Sequence, residues 1–206
     1  HLLGLWLPRH SAPLDAELAR LRGHREERNL KILDRLRSIG INIGYQEVLD
    51  EAGGESVGRP HIARVLQKRG IVSNFAQAFE LYLGYYGAAY VPRTLLTPEE
   101  GVSLMADLGA VVSFAHPMLI RCPPSWFDEI IPRLKEAGLG AIEAYHSEHS
   151  ARDERFCVEL AARYGLGLSG GSDYHGMAKP GVELGRGKGG LRVTVALLDA
   201  LKARRK

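Results

Sequence analysis

Aspartate and histidine stand two residues apart in the run Gly170-Gly171-Ser172-Asp173-Tyr174-His175-Gly176. In extended backbone, residues i and i+2 point to the same side, so Asp173 and His175 can reach one place together. A carboxylate and an imidazole converging in this way make half of a typical divalent-metal site. Taken alone, the run reads equally well as a turn with an Asp cap and a surface His. Two more stretches of the same kind tip the balance. Ala110 to Ala115 is a short apolar run that ends in His116. It is stopped by Pro117, which cannot donate to a β-ladder. Gly140 to His146 is another such run, with Glu148 and His149 just beyond it. Active sites of parallel α/β proteins and βα barrels lie at the C-terminal ends of strands. Ligand-capable side chains at three successive strand ends therefore predict a metal or catalytic cluster.

The elements that must position these residues are legible between them. Thr97 opens a helix with Pro98 at its first position and Glu99 and Glu100 in its first turn, and Gly109 closes it before the His116 strand. Pro124 to Ala137 is the next helix, closed by Gly138. Ser150 to Tyr164 follows, closed by Gly165. Leu191 to Arg205 is the last, with Val193, Leu197, Leu198 and Leu201 as its apolar face. From Thr97 onward helix and strand alternate, which is the pattern of a parallel sheet with right-handed crossovers.

The N-terminal portion is different. His1 to Leu7 is strand-like, and Leu14 to Leu36 is a charged amphipathic helix whose Arg and Glu side chains read as a solvated face. Tyr45–Ala52, Arg59–Lys68 and Asn74–Tyr82 read as short helices, punctuated by Gly53, Gly54, Gly58, Gly70 and Gly84. The expected division is 1–38 with 94–206 for the strand-bearing part, and 39–93 for a helical insertion or cap.

Composition sets the outer bounds. The 206 residues, 45% hydrophobic and 25% charged, suffice for one sizeable domain with a subdomain. No apolar run is long enough to cross a membrane, and the start is unlike a secretory signal. Cys122 and Cys157 have neither a disulfide-framework nor a metal-knuckle spacing. They read as packing residues in a reducing compartment, so the cytoplasm is expected. A net charge of +3 is too modest to predict duplex DNA binding. Oligomeric state is open.

At the level of motifs, His1-Leu2-Leu3-Gly4, Phe114-Ala115-His116-Pro117 and Gly171-Ser172-Asp173-Tyr174-His175 resemble the PHP (polymerase and histidinol phosphatase) metallo-phosphoesterases. Val57-Gly58-Arg59-Pro60-His61, Ala89-Tyr90-Val91-Pro92-Arg93 and Glu143-Ala144-Tyr145-His146-Ser147 narrow the likeness. They resemble the branch containing AMP and 3′,5′-nucleotide bisphosphate phosphatases, some of which act as 5′→3′ exoribonucleases on short RNA. The resemblance spans essentially the whole chain. It implies an α/β fold, a distorted (βα)7 TIM-like barrel, with two or three divalent metals. By position it implies that His1 and His116 bind one metal, Asp173 a second and His175 a third. Mn²⁺, Zn²⁺ or Fe²⁺ suit such histidine-rich sites better than Mg²⁺, which prefers oxygen donors and water. The implied reaction is hydrolysis of a phosphate ester by a metal-activated water.

In the same likeness, Arg59 and Arg93 are candidates for phosphate binding. His61 and His146 are candidates for substrate contact or leaving-group protonation. The plainer roles are surface ion pairs for the two arginines and a cap contact for His61. A small nucleotide or a short RNA end is the implied partner. Tyr82, Tyr85, Tyr86 and Tyr90 could stack a base, although core packing is the simpler role for most of them.

The chain departs from the PHP pattern at its start. An HxHxxxSDG-type strand end, a TDHD-type segment and a strand with a bridging Glu are all absent, and His10, His24 and His149 do not replace them by spacing. The expectation is a barrel incomplete at the N-terminus, with the 206 residues alone binding metal weakly. Two alternatives stay open: another barrel metallohydrolase of amidohydrolase type, and a non-catalytic or fragmentary PHP relative.

Overall fold

The chain runs β1 (Leu2–Leu5), α1 (Ala12–Ser38), α2 (Tyr45–Ala52), α3 (Arg59–Lys68), α4 (Phe75–Ala78, continued by a π-helical turn Phe79–Leu83), α5 (Pro98–Asp107) and β2 (Val111–Phe114). A 3₁₀ turn (Pro117–Ile120) then precedes α6 (Pro124–Glu136), β3 (Leu139–His146), α7 (Ala151–Tyr164), β4 (Gly167–Gly171) and α8 (Val195–Lys202). The computed structural model describes residues 1–54, 56–176 and 179–205. It divides into two units, His1–Leu14 with Leu96–Lys206, and Asp15–Leu95.

The first unit is built on one sheet in the order β1-β2-β3-β4. β2, β3 and β4 run parallel, as the helix–strand alternation predicts. β1 runs antiparallel to β2, with Leu2 opposite Phe114. That direction places the start of β1, and with it His1, at the rim where β2 ends. All four positions of β2 are buried, as expected of a strand covered on both faces. The hydroxyls of Ser113 on β2 and Ser169 on β4 meet at 2.6 Å across the intervening β3. Neighbouring strands lie about 4.8 Å apart, so this contact requires a concave sheet. Among the described residues the sheet is open, and no closed seven-stranded barrel is present.

Helix starts follow local chemistry. Thr97 Oγ1 accepts from Glu100 N at 3.2 Å while Glu100 Oε2 accepts from Thr97 N at 2.7 Å. Ser150 and Asp153 make the same reciprocal pair at the start of α7. Each cap of this kind is worth about 1 kcal/mol. The terminal helix is shorter than expected, because Thr194 caps it and sets its start at Val195.

Phe127, 1% exposed, anchors the core of this unit against the rings of Phe114, Trp126 and Phe156. Cys157 is fully buried in the same core, and burial, with Asp153, Glu143 and Glu154 around it, pushes its thiol up to about 12. A thiol held protonated and out of water does not react. Native protein should therefore react with a thiol reagent at no more than one site, Cys122, and at two after denaturation. Stoichiometric labelling of native Cys157 would contradict this packing.

The helical unit has its own core of Ile32, Leu36, Val48, Ile62, Leu66 and Leu83. The boundary expected at 38/39 falls instead at Leu14/Asp15. The physical reason is that α1 buries Ile32, Leu33 and Leu36 in this core. Its charged face is also less solvated than expected, because Arg28 is buried.

Candidate functional site

In the strand-bearing unit, β2, β3 and β4 each deliver polar side chains at their C-terminal ends. His116 follows β2 in left-handed backbone (φ 32°), and Asp173 follows β4 in the same region (φ 54°). Non-glycine residues pay about 1–2 kcal/mol for that conformation, and it persists where the surroundings hold it in place. His146 is the last residue of β3. His1 Nδ1 lies 3.0 Å from His116 Nε2, with the two rings nearly perpendicular. The rings of His116 and His146 are 5.5 Å apart. His146 Nε2 is 3.9 Å from Asp173 Oδ2, and Asp173 Oδ1 is 3.5 Å from His175 Nδ1. His1, His116, His146, Asp173 and His175 therefore form one continuous row of neighbours.

Glu143 and Lys179 complete this row. Glu143 is 4% exposed and accepts the backbone N–H of His116 at 2.7 Å, which fixes the turn that carries the imidazole. In a regular strand residues three apart face opposite sides, yet Glu143 and His146 both reach His116. The register of β3 against β4 shifts between Glu143 and Tyr145, and a bulge of this kind re-aims side chains. A Cβ on Gly171 would stand 2.7 Å from Glu143 Oε1, so a larger residue there would push the carboxylate from its place. Burial pushes the Glu143 carboxyl up to about 7, against the opposing hydrogen bond from His116. Lys179 Nζ bridges Asp173 Oδ2 at 2.6 Å and Glu148 Oε1 at 2.8 Å, a cation between two carboxylates. Burial alone would raise Asp173, but the Lys179 hydrogen bond and charge, with His175 and His116, hold it below the usual range.

The histidine tautomers follow from their hydrogen bonds. His146 Nδ1 accepts from Glu148 N at 3.1 Å, so the neutral ring carries its proton on Nε2. Burial, with His149 and His116 beside it, pushes His146 down to about 4. At neutral pH it is an N–H donor. His149 does the reverse: Nδ1 donates to Ala144 O at 2.9 Å, leaving the Nε2 lone pair. His175 Nδ1 likewise donates to Asp173 O at 2.9 Å. His116 Nδ1, His146 Nε2 and His149 Nε2 are buried with no hydrogen-bond partner. A buried polar atom left alone costs about 1–3 kcal/mol, and a ligand would remove that cost. Imidazole lone pairs whose other nitrogen is tied to a carbonyl, beside an acceptor-only carboxylate, suit a divalent cation. Among the described residues, no group of three or more His, Cys, Asp or Glu side chains is placed to hold a metal ion. The pairs His1/His116 and Asp173/His175 stand at the two ends of the row.

Arg59, His61 and Arg93 lie in the helical unit, where they line a cavity of about 380 Å³ with His24, Arg25 and Arg28. Gly58 N donates to His61 Nδ1 at 3.0 Å, so His61 does make the cap contact. Arg59 donates to Leu83 O at 2.7 Å and lies 5.6 Å from the centre of the Phe79 ring. Arg28 donates to Val91 O at 2.7 Å. Burial, followed by the charges of Arg59 and Arg93, lowers the Arg28 guanidinium from its ordinary value. A buried guanidinium crowded by two others is complemented by an anion.

Glu143 and His149 stand in stretches singled out from the sequence but without a site role there, and Lys179, Arg25 and Arg28 are not singled out. Two of them carried a signal. Glu143 is a lone charge inside an apolar strand, and Arg28 shares the i, i+4, i+8 stripe of Ile32 and Leu36. For Lys179 the sequence offers no comparable mark.

The sheet gathers histidine and aspartate at its strand ends, and comparison with known proteins finds hydrolases among those the chain resembles. A crystal structure assigned as a metal-dependent phosphoesterase from Bifidobacterium adolescentis superposes with a TM-score of 0.74 at 26% identity, covering 100% of this chain and 71% of that one. An amidohydrolase from Chromobacterium violaceum with bound sulfate and no metal superposes with a TM-score of 0.71 at 26% identity, over 99% and 71% of the two chains. In sequence, the chain is 29% identical to a 5′-3′ exoribonuclease of Haemophilus influenzae over 85% of its own length and 64% of the relative's. It is 27% identical to the 3′,5′-nucleoside bisphosphate phosphatase of C. violaceum, over 90% of this chain and 65% of that protein. No family model matches. The chain thus spans just under two thirds of the length of the curated relatives it matches, and these relatives are hydrolases acting on phosphate esters. No helix among the described residues is long and apolar enough to cross a membrane.

Proposed function

We propose that the protein carrying this chain is a metal-dependent phosphoesterase of the PHP type, acting in the cytoplasm. Its substrate would be AMP, a 3′,5′-nucleotide bisphosphate or the 5′ end of a short oligoribonucleotide. The observation that carries this reading is the row from His1 to His175 at the strand ends, with three buried imidazole nitrogens awaiting a partner. The names of the relatives support the phosphate-ester chemistry, and a distorted (βα)7 barrel is the fold proposed for the whole protein.

In this reading His1, His116, Asp173 and His175 hold two or three divalent cations, and the nitrogen-rich set favours Mn²⁺, Zn²⁺ or Fe²⁺. When bound, such cations supply positive charge to phosphoryl oxygens and acidify water. Glu143 keeps His116 in position. His146, neutral with its proton on Nε2, donates to a phosphoryl or leaving-group oxygen. In the helical unit Arg59 and Arg93, with His61 and Arg28, hold a phosphate.

The test is Mn²⁺-supported phosphate release from AMP and from 3′-phosphoadenosine 5′-phosphate, by this chain and by the whole protein. Release that a chelator abolishes supports the proposal. Amide hydrolysis without phosphate release would favour the amidohydrolase reading, which the C. violaceum structure keeps in view. Neither activity, with no metal bound, would mark a non-catalytic relative. Arg93→Ala should raise KM about tenfold or more with little change in kcat, because a charge-assisted hydrogen bond contributes about 1.5–3 kcal/mol. An unchanged KM and kcat would remove Arg93 from the site.

A further inference from the structure

The helical unit carries a second feature that phosphate chemistry does not use. Tyr85 and Tyr86 are 71% and 94% exposed, although aromatic rings are ordinarily among the first groups to be buried. Their rings meet edge to face at 4.9 Å, and Tyr85 leans on Tyr90 at 5.3 Å. Tyr82, by contrast, packs against the core.

The turn that presents the pair is fixed. Gly84 N donates to Phe79 O at 2.7 Å, and Ala88 N and Ala89 N return to Leu81 O and Tyr82 O at 2.9 Å each. A Cβ on Gly84 would stand 2.5 Å from Phe79 O, and one on Gly87 2.4 Å from the Tyr82 carbonyl carbon. The same turn is tied to the arginine-lined cavity of this unit. Arg59 bonds Leu83 O directly before it, Arg28 bonds Val91 O directly after Tyr90, and Arg35 bonds the carbonyl of Tyr90 itself.

Exposed rings on a hydrogen-bonded turn, tied to guanidinium groups, are the two components of sequence-tolerant single-strand binding, where bases stack on aromatics and cations track the phosphates. We propose that Tyr85 and Tyr86 are a base-stacking platform for a single-stranded oligonucleotide, engaging bases beyond the terminal nucleotide. The choice of ligand rests on the nucleotide reading above. The rings and arginines also argue it directly, since a polyanion with flat bases complements both.

The experiment is fluorescence anisotropy with the whole protein in chelator, so that nothing turns over. The probes are 5′-phosphorylated pentaadenylate, the same strand lacking its bases, and AMP in competition. Stacking is worth about 1–3 kcal/mol per base, which at 1.4 kcal/mol per decade is about five- to 150-fold. Tyr85→Ala/Tyr86→Ala should weaken pentaadenylate by about tenfold or more, leaving AMP and the base-free strand unchanged. Tyr85→Phe/Tyr86→Phe should bind as wild type, because stacking needs the ring and not the hydroxyl. The proposal falls if the alanine variant binds pentaadenylate like wild type, or if it loses the base-free strand equally. It also falls if the substitutions change only self-association, which would make the pair a contact between copies. Because binding is read without metal, absence of phosphate release would sink the phosphoesterase reading and leave this measurement standing.

Discussion

Asp173→Ala should reduce phosphate release by the protein carrying this chain about a thousandfold, the scale expected when a metal's several kcal/mol of charge stabilisation is lost. Its fold should be unaffected. Asp173 contributes charge and no core packing. Its side chain is 23% exposed, and its oxygens face His146, His175 and Lys179. Removing the carboxylate leaves Lys179 still paired with Glu148, so no charge is stranded. Alanine in left-handed backbone adds strain of about 1–2 kcal/mol. Asp173→Asn is therefore the companion variant, since asparagine accepts that conformation and keeps the shape. Both variants should lose bound metal and activity together with circular dichroism close to wild type, and Asp173→Asn should also unfold thermally close to wild type. Wild-type turnover in either would remove Asp173 from the metal site.

Glu143→Gln should stabilise the metal-free protein at pH 8 and leave it unchanged near pH 4. The carboxyl rises from 4.5 to about 7 in the folded state because burial disfavours its charge. A raised acid contributes stability that is complete below its unfolded value and is lost as pH rises through its folded one. At 1.36 kcal/mol for each unit of displacement, that loss is at most about 3 kcal/mol. Glutamine is neutral throughout and keeps an oxygen for the His116 N–H. His146 runs the other way, since its depressed value costs stability as pH falls from 6.5 towards about 4. That contribution is common to both proteins and cancels in their difference. Urea unfolding in chelator at the two pH values reads the effect. Equal stability at both would show that the protein accommodates a charged Glu143 without cost.

Much of the architecture is written locally. Caps and stops are decided within a few residues, so the bounds of α2, α3, α5, α6 and α7 follow from Thr97, Ser150, Pro98 and the glycines that close them. The strand ends are equally local, because an apolar run stopped by a proline or by a turn puts its last polar residue at the rim. His116, His146, Asp173 and His175 were legible for that reason. What the sequence could not decide were relations between segments far apart in the chain. The antiparallel course of β1, which sets His1 against His116, is a choice of strand partner. The placement of α1 with the helical unit depends on which core its apolar stripe finds. The bulge that aims Glu143 and His146 together is a matter of register with β4. Lys179 reaches Asp173 and Glu148 only because the chain folds back after β4. Charge, burial and proton position at the site are set by these distant encounters, and no spacing along the chain encodes them.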